Sequence, residues 1–251
     1  MPTTKNSKVV IVMPAYNAEK TLLATYNAIP PHSYDEIVLV DDASKDLTCE
    51  LAQSLHVHLI KHPVNKGYGA NQKTCYRKAL DLGADIIIML HPDNQYDPRL
   101  IPNIALPIKE GQADVVLASR FIRDPYDGGP LKGGMPFYKI IANRILTWFQ
   151  NMCMGTYFNE FHTGYRAFSR EALESVKWWL NSDDFVFDNE IIAQMVVKRL
   201  IFKEIPVVTK YFKEASSINF ARSVKYGLGV LKTSIKYVLH TRNIRRYEQF
   251  Q

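Results

Sequence analysis

At 251 residues and 47% apolar content, the chain is long and apolar enough for one large core, which excludes global disorder. Its net charge of +6 is modest, and its three cysteines (Cys49, Cys75, Cys153) form neither a CxxC metal pair nor a disulfide framework, which points to a reducing, cytoplasmic setting. The polar start MPTTKNSK is not read as a signal peptide, and the longest apolar stretches fall short of the about 18–20 residues a membrane span needs, so a soluble or peripheral protein is expected.

The β-branched run at 9–13, closed by Pro14, predicts a buried strand. Residues 19–28 read as a helix, 36–40 as a second strand ending on Asp41-Asp42, 48–55 as a helix and 57–61 as a third strand. A glycine-bearing loop at 65–69 opens a helix that runs to residue 82. Residues 84–90 form the most apolar strand and lead into His91-Pro92-Asp93-Asn94-Gln95. A helix at 99–110 and a strand at 114–119 complete the alternation. Continuous apolar strands alternating with helices predict a Rossmann-like α/β fold, a mostly parallel sheet flanked by helices. Polar residues cluster just after the strands' carboxyl ends, where open α/β sheets hold ligands.

Beyond Arg120 the pattern loosens. Residues 124–134 hold four glycines and two prolines and read as a mobile loop. Residues 136–152 and 187–199 read as helices, 202–209 as a late strand and 216–240 as a long helix. In that last helix Val224, Leu228, Leu231, Ile235 and Leu239 form one stripe, edged by Lys225, Lys232 and Lys236. Between Ala215 and Tyr247 lie seven cations, including Arg222, Arg242, Arg245 and Arg246, and no acid. Such a helix either packs its stripe on the domain or a second subunit, or lies on an anionic membrane surface. Gly227 and Gly229 favour packing, because they allow close approach. The chain thus divides into a domain of residues 1–215 and a basic amphipathic helix and tail of 216–251. The tail lacks a nucleic-acid-binding motif, so nucleic acid is not an expected partner.

Four constellations bear chemistry. Pro14-Ala15-Tyr16-Asn17 offers a stiff turn with an aromatic wall for a flat base, or is an ordinary strand-to-helix turn. Asp41-Asp42-Ala43-Ser44 places two acids at a strand tip, suited to base imide, ribose hydroxyls or a metal, or Asp42 or Ser44 caps the following helix. Asn65-Lys66-Gly67-Tyr68-Gly69 allows backbone approach to a ribose or phosphate. It is not a dinucleotide loop, because Gln72 stands where GxGxxG needs its third glycine. His91-Pro92-Asp93-Asn94-Gln95 gathers an imidazole, a carboxylate and an amide. Such donors suit Mg²⁺ or Mn²⁺, the imidazole shifting the balance toward Mn²⁺; the alternative makes Asp93 a turn residue.

VVIVMPAYN, EIVLVDDAS, NKGYGAN, IIIMLHPDNQYDP and VVLASRF, in this order and spacing, resemble the family 2 inverting glycosyltransferases with the GT-A fold. The dolichyl-phosphate mannose and polyprenyl-phosphate sugar synthase branch is the nearest likeness, and the resemblance spans residues 8–215. It implies that Pro14, Tyr16, Asp41 and Asp42 hold the nucleotide, with Asn65 and Gly67 beside them. The family's DxD metal motif falls on His91-Pro92-Asp93, with Gln95 following; histidine replaces the first acid and leaves the ion's identity open. Arg120 resembles an arginine that faces phosphate. Lys139, Asn143 and Arg144 resemble an acceptor helix, and Glu160 and Arg166 a segment lining the reaction centre. Asp188 and Glu190 sit where the family carries an acidic helix start. The plain structural alternatives are a solvated helix face for Lys139 and Arg144, and first-turn helix charges for Asp188 and Glu190.

The resemblance thus implies a UDP- or GDP-sugar donor, a divalent cation (Mn²⁺ or Mg²⁺) and inversion at the anomeric carbon. A hydroxyl acceptor needs a base, for which Asp188, Glu190 and Glu160 are candidates. A polyprenyl phosphate on the cytoplasmic membrane face needs none, and Arg120, Lys139, Arg144 and Arg166 would hold its phosphate. A soluble or glycan hydroxyl acceptor is the alternative; a non-catalytic sugar-nucleotide binder is a further one, motivated by His91. A homo-oligomer stays open. A sugar nucleotidyltransferase would need a glycine-rich basic loop after the first strand, and MPAYNAEKT is not one.

Overall fold

A computed structural model describes residues 7–122, 129–210 and 220–251, with only the backbone of Gly129, Lys132 and Phe220. Its strands are β1 (Val9–Ala15), β2 (Glu36–Asp41), β3 (His58–Lys61), β4 (Ile86–Met89), β5 (Val115–Ser119), β6 (Arg166–Ser169) and β7 (Phe202–Pro206). Its α-helices are α1 (Leu22–Asn27), α2 (Thr48–Gln53), α3 (Tyr68–Asp81), α4 (Ile101–Lys109), α5 (Gly129–Lys132), α6 (Phe137–Met154), α7 (Arg170–Glu174), α8 (Phe187–Val197) and α9 (Phe220–Thr241).

The strands form one sheet in the order β3-β2-β1-β4-β6-β5-β7. Neighbours run parallel except at β6, which is antiparallel to both β4 and β5. The central strands are buried on both faces, and their alternation divides the core in two. Val10, Val12, Val38, Val40, Ile87 and Met89 join Tyr76 of α3 and Phe187 and Ile191 of α8. Val9, Ile11, Met13, Leu39, Ile86 and Ile88 join Leu22 of α1, Ala52 of α2 and Ile101 and Ile104 of α4. Each such large apolar side chain contributes about 1.5–3 kcal/mol on burial. Truncating a central one, as in Ile11→Ala, would cost about 2–5 kcal/mol.

Three features differ from the sequence reading. β6 was not anticipated: four residues opening on a charged arginine carry too short a pattern to read as a strand. The glycine-rich stretch contains the short helix α5, while residues 123–128 lie outside the described residues. The long C-terminal helix is described from Phe220; the earlier part of the predicted range lies outside the described residues.

The larger difference is the orientation of α9. Its buried face is Val230, Thr233, Ser234 and Tyr237. The apolar stripe instead faces outward at Val224, Leu228 and Ile235, with Leu231 and Leu239 half-buried. Small residues explain this choice, because they let backbones approach. A Cβ at Gly229 would lie 2.9 Å from Val186 Cγ2, and Ser234 returns its hydroxyl to the Val230 carbonyl at 2.9 Å. The chain then folds back on α8: Gln194 Nε2 donates to the Gln249 carbonyl at 2.6 Å, and Phe250 is buried against Tyr237. Among the described residues no helix is long and apolar enough to cross a membrane.

Candidate active site

The carboxyl ends of β1, β2 and β4 meet at one edge of the sheet. There the loops after β1 and β2 are laced together. Asn17 N donates to Ser44 Oγ and Lys45 N to Asn17 Oδ1, both at 2.9 Å, while Leu47 N donates to Glu19 Oε2 at 3.0 Å. Asn17, Ala43 and Asn94 hold left-handed backbone, φ 51°, 58° and 57°. Left-handed alanine is uncommon and is kept only where surrounding contacts over-determine it.

The sequence-predicted nucleotide residues separate by what their polar atoms do. Pro14 is buried in β1 and Tyr16 is half-exposed at its tip. Asp41 is buried; Oδ2 accepts from Ser44 N at 3.2 Å, while Oδ1 has no hydrogen-bond partner among the described residues. A buried orphan carboxylate oxygen is an acceptor that a bound donor group would satisfy. Asp42 is filled from within: it accepts from Lys66 N and Gly67 N at 2.9 Å each and from His62 Nδ1 at 2.7 Å. Asn65 binds the Asp42 carbonyl at 3.2 Å. Gly67 and Gly69 serve a protein neighbour, since Cβ atoms there would lie 2.6 Å and 2.4 Å from the carbonyls of Asp183 and Ser182.

Next to these tips lies a cavity of ≈ 580 Å³ between the sheet edge, α6 and α9. Its inner end is ionic, lined by Tyr68, His91, Asp93, Gln95, Arg120, Lys139 and Asp188. Its outer end is apolar, lined by Met135, Tyr138, Ile145, Leu146, Val224, Leu228 and Leu231. All three predicted metal residues face it. Burial pushes the Asp93 carboxyl up and the His91 imidazole down. Asp93 accepts from Gln95 N at 3.1 Å and makes no ion pair among the described residues. His91 lies 3.1 Å from the Tyr68 hydroxyl and stacks on its ring, and a side chain at Gly164 would strike it at 2.8 Å.

Of the predicted acids, only Asp188 reaches the cavity. Its carboxylate accepts from Tyr68 Oη at 2.8 Å and Gln72 Nε2 at 2.9 Å and pairs with Arg166 Nη1 at 3.2 Å. Glu160 is buried and grips Arg120 through both oxygens. Burial alone would raise its carboxyl, but the Arg120 charge and hydrogen bonds win and hold it below its ordinary value. Glu190 turns toward the loop before α8, accepting from Ser182 N at 2.6 Å, and burial pushes its carboxyl up.

The predicted cations separate likewise. Arg120 and Lys139 line the cavity. Lys139 is half-buried, its ammonium held below its ordinary pKa first by burial and then by repulsion from Arg120. No hydrogen-bond acceptor for its ammonium is present among the described residues. Arg166 is fully buried and braces the Thr163 and Asp188 carbonyls, at 2.7 Å and 3.1 Å. Arg144 lies outside the cavity, 3.2 Å from the Asn159 carbonyl and over the Phe121 ring.

Several lining residues were not singled out from sequence: Tyr68, His162 and Tyr226. Tyr226 on α9 meets His162 Nδ1 at 2.8 Å and also receives the Asn189 side chain. Burial lowers the His162 imidazole to about 4, and its Nε2 is buried without a partner among the described residues. Tyr68 sat within NKGYGAN and His162 between Glu160 and Arg166, but only the fold shows which side chains of these segments turn inward. Tyr226 had no motif to mark it.

The sequence matches the family model described as glycosyl transferase family 2 over residues 10–177. It is 30% identical over 220 residues to the UDP-N-acetylglucosamine–dolichyl-phosphate N-acetylglucosaminyltransferase of Methanococcus voltae, covering 81% of this chain and 86% of that one. It is also 30% identical over 145 residues to the dolichol-phosphate mannosyltransferase of Pyrococcus furiosus, covering 55% of this chain and 38% of that one. The fold is shared with glucosyl-3-phosphoglycerate synthase of Mycobacterium tuberculosis, solved with Mn²⁺ and UDP-glucose. The TM-score is 0.70 at 18% identity, covering 93% of this chain and 79% of that one. With its seven-stranded, mostly parallel GT-A sheet and this match across two thirds of its length, the chain belongs to the family 2 glycosyltransferases.

Proposed function

We propose that the protein transfers a sugar from a nucleotide-sugar donor to the phosphate of a polyprenyl phosphate, with inversion at the anomeric carbon. One observation carries this reading: a single cavity has two carboxylates (Asp93, Asp188) and two cations (Arg120, Lys139) at one end and an apolar wall from α6 and α9 at the other. A phosphate joined to a hydrocarbon chain matches both ends. Lys139, a half-buried cation without an acceptor among the described residues, gains one from that phosphate, and Arg120 beside it is held in place by Glu160.

The donor's base and ribose would lie at the tips of β1 and β2, against Tyr16 and the Asp41 oxygen that has no partner among the described residues. Its diphosphate would lie toward Asp93. The donor set there fits a divalent cation shared with substrate. Among the described residues Asp93 is a desolvated carboxylate without an ion pair, flanked by His91 and Gln95, and no group of three His, Cys, Asp or Glu there could hold an ion alone. Mg²⁺-type ions characteristically take one or two carboxylates plus substrate phosphates. Mn²⁺ or Mg²⁺ held by Asp93, His91 and Gln95 would supply charge neutralisation to the leaving diphosphate.

An acceptor phosphate oxygen attacks the anomeric carbon from the face opposite the nucleotide. A new carbon–oxygen bond forms as the bond to the diphosphate breaks, its electron pair leaving with the nucleoside diphosphate. The acceptor is already an anion, so no base is needed. Asp188, held by Tyr68, Gln72 and Arg166, orients Tyr68 against His91. A hydroxyl acceptor is a second reading, favoured by Asp188, which alone of the three candidate bases lines the cavity.

Nucleotide release from UDP- and GDP-sugars, with Mn²⁺, Mg²⁺ or EDTA and with or without a polyprenyl phosphate, tests this. Metal-dependent release stimulated by the lipid phosphate is expected. Release that only a sugar or other hydroxyl acceptor stimulates would replace it with the second reading.

A further inference from the structure

Large apolar side chains are expected inside a fold, and a contiguous exposed set marks an interaction surface. On α6, Phe137, Ile141, Ile145, Trp148 and Met152 recur at four- and three-residue steps, which places them on one helical face, and each is exposed. Trp148 is 63% exposed. α9 runs beside α6 in the same direction, as Leu146 of α6 faces Gly227 of α9 and Met154 faces Tyr237. Its outward stripe supplies Leu228, also 63% exposed, and Ile235. The two stripes meet at the cavity, since exposed Ile145 and exposed Leu228 both line it.

Charge separates the occupants such a face could take. Neither α6 nor α9 contains Asp or Glu, although the chain has 25 acids. Together they carry Lys139, Arg144, Arg222, Lys225, Lys232 and Lys236. Lys225 is bonded to Asp184 at 2.6 Å, whereas Arg144 and Lys232 are exposed, as are Arg242, Arg245 and Arg246 beyond α9. A second copy would bring the same cations and no acid to meet them. An anionic lipid surface offers both the apolar layer and the opposite charge.

We infer that the paired outward faces of α6 and α9 dock the protein on an anionic bilayer, with Phe137, Trp148 and Met152 inserted and the cavity mouth against the lipid. This placement serves the lipid-acceptor reading, yet vesicles that lack polyprenyl phosphate probe the surface alone, so failure of one is distinguishable from failure of the other.

The test is co-sedimentation of the full chain with phosphatidylcholine vesicles, with and without phosphatidylglycerol. Binding is expected only with the anionic lipid, with a blue shift of tryptophan emission that Trp148→Phe removes while binding persists. The triple variant Phe137→Ser, Trp148→Ser, Met152→Ser is expected to weaken binding at least tenfold at an unchanged unfolding midpoint. Lys232→Gln and Arg242→Gln should each weaken it about fivefold. Absence of binding, equal binding to neutral vesicles, or a solution dimer that the triple variant dissociates would overturn the inference.

Discussion

The two halves of the cavity solve opposite problems. At the strand tips polar groups are fastened to one another: Asp42 holds the 66–67 backbone and His62, Asp188 holds Tyr68, Gln72 and Arg166, and Glu160 holds Arg120. Along α6 and α9 the groups nearest the opening are apolar and outward-facing. The first half has its geometry set before any ligand arrives, as electrostatic catalysis requires. The second has surface rather than geometry to offer, which suits a flexible chain without hydrogen-bonding groups. Among the described residues some groups there remain unpaired, and ligands are expected at three of them: Asp41 Oδ1, the Asp93 carboxylate, which has no ion pair, and the Lys139 ammonium.

The sharpest way to break this comparison is to remove a leftover group. Asp93→Ala should lower turnover about 10³-fold, the equivalent of about 4 kcal/mol of charge stabilisation, with little change in thermal midpoint. A fastened group should do the reverse. Arg166→Met leaves Asp188 buried without its cation and should cost about 3–5 kcal/mol of stability, read from denaturant unfolding. Lys139→Ala should raise the acceptor KM about tenfold or more, as expected for one charge-assisted hydrogen bond, while donor hydrolysis is unchanged.

His162 sharpens the comparison by pH. Its folded pKa of about 4 lies below the ordinary value of 6.5, because burial disfavours its charged form. The unfolded chain therefore takes the proton first, and stability is lost as pH falls below about 6.5. The loss between pH 7 and 5 should be about 2 kcal/mol, and His162→Gln should flatten it. The smallest effect belongs to Arg144→Ala, outside the cavity: within about 0.5 kcal/mol in stability and no change in acceptor KM.

The parallel sheet was legible because its strands are buried on both faces and read as unbroken apolar runs. β6 was not, because four residues beginning with arginine carry no period. In the site, spacing after a strand grouped His91, Asp93 and Gln95, and all three line the cavity. It did not separate Asp41 from Asp42, adjacent in sequence, because which carboxylate the 66–67 backbone occupies is settled by a turn 24 residues away. The residues of the α9 stripe do share one face, but packing, the favoured of its two readings, is not what most of that face does: Val224, Leu228 and Ile235 are exposed. Hydrophobicity identifies a face, but the small residues opposite it decided which face the neighbouring helices could approach.

The hydrogen bonds of Tyr226 have a consequence for how the molecule is made. During synthesis the sheet, Asp93 and Lys139 all emerge before α9 does. A nascent chain ending before Phe220 would hold Asp93 and Lys139 with one wall of the cavity absent, His162 and Asn189 unbridged and water admitted from that side. The cavity is thus closed by α9, the last of its walls to be made and the helix that carries half of the outward apolar face.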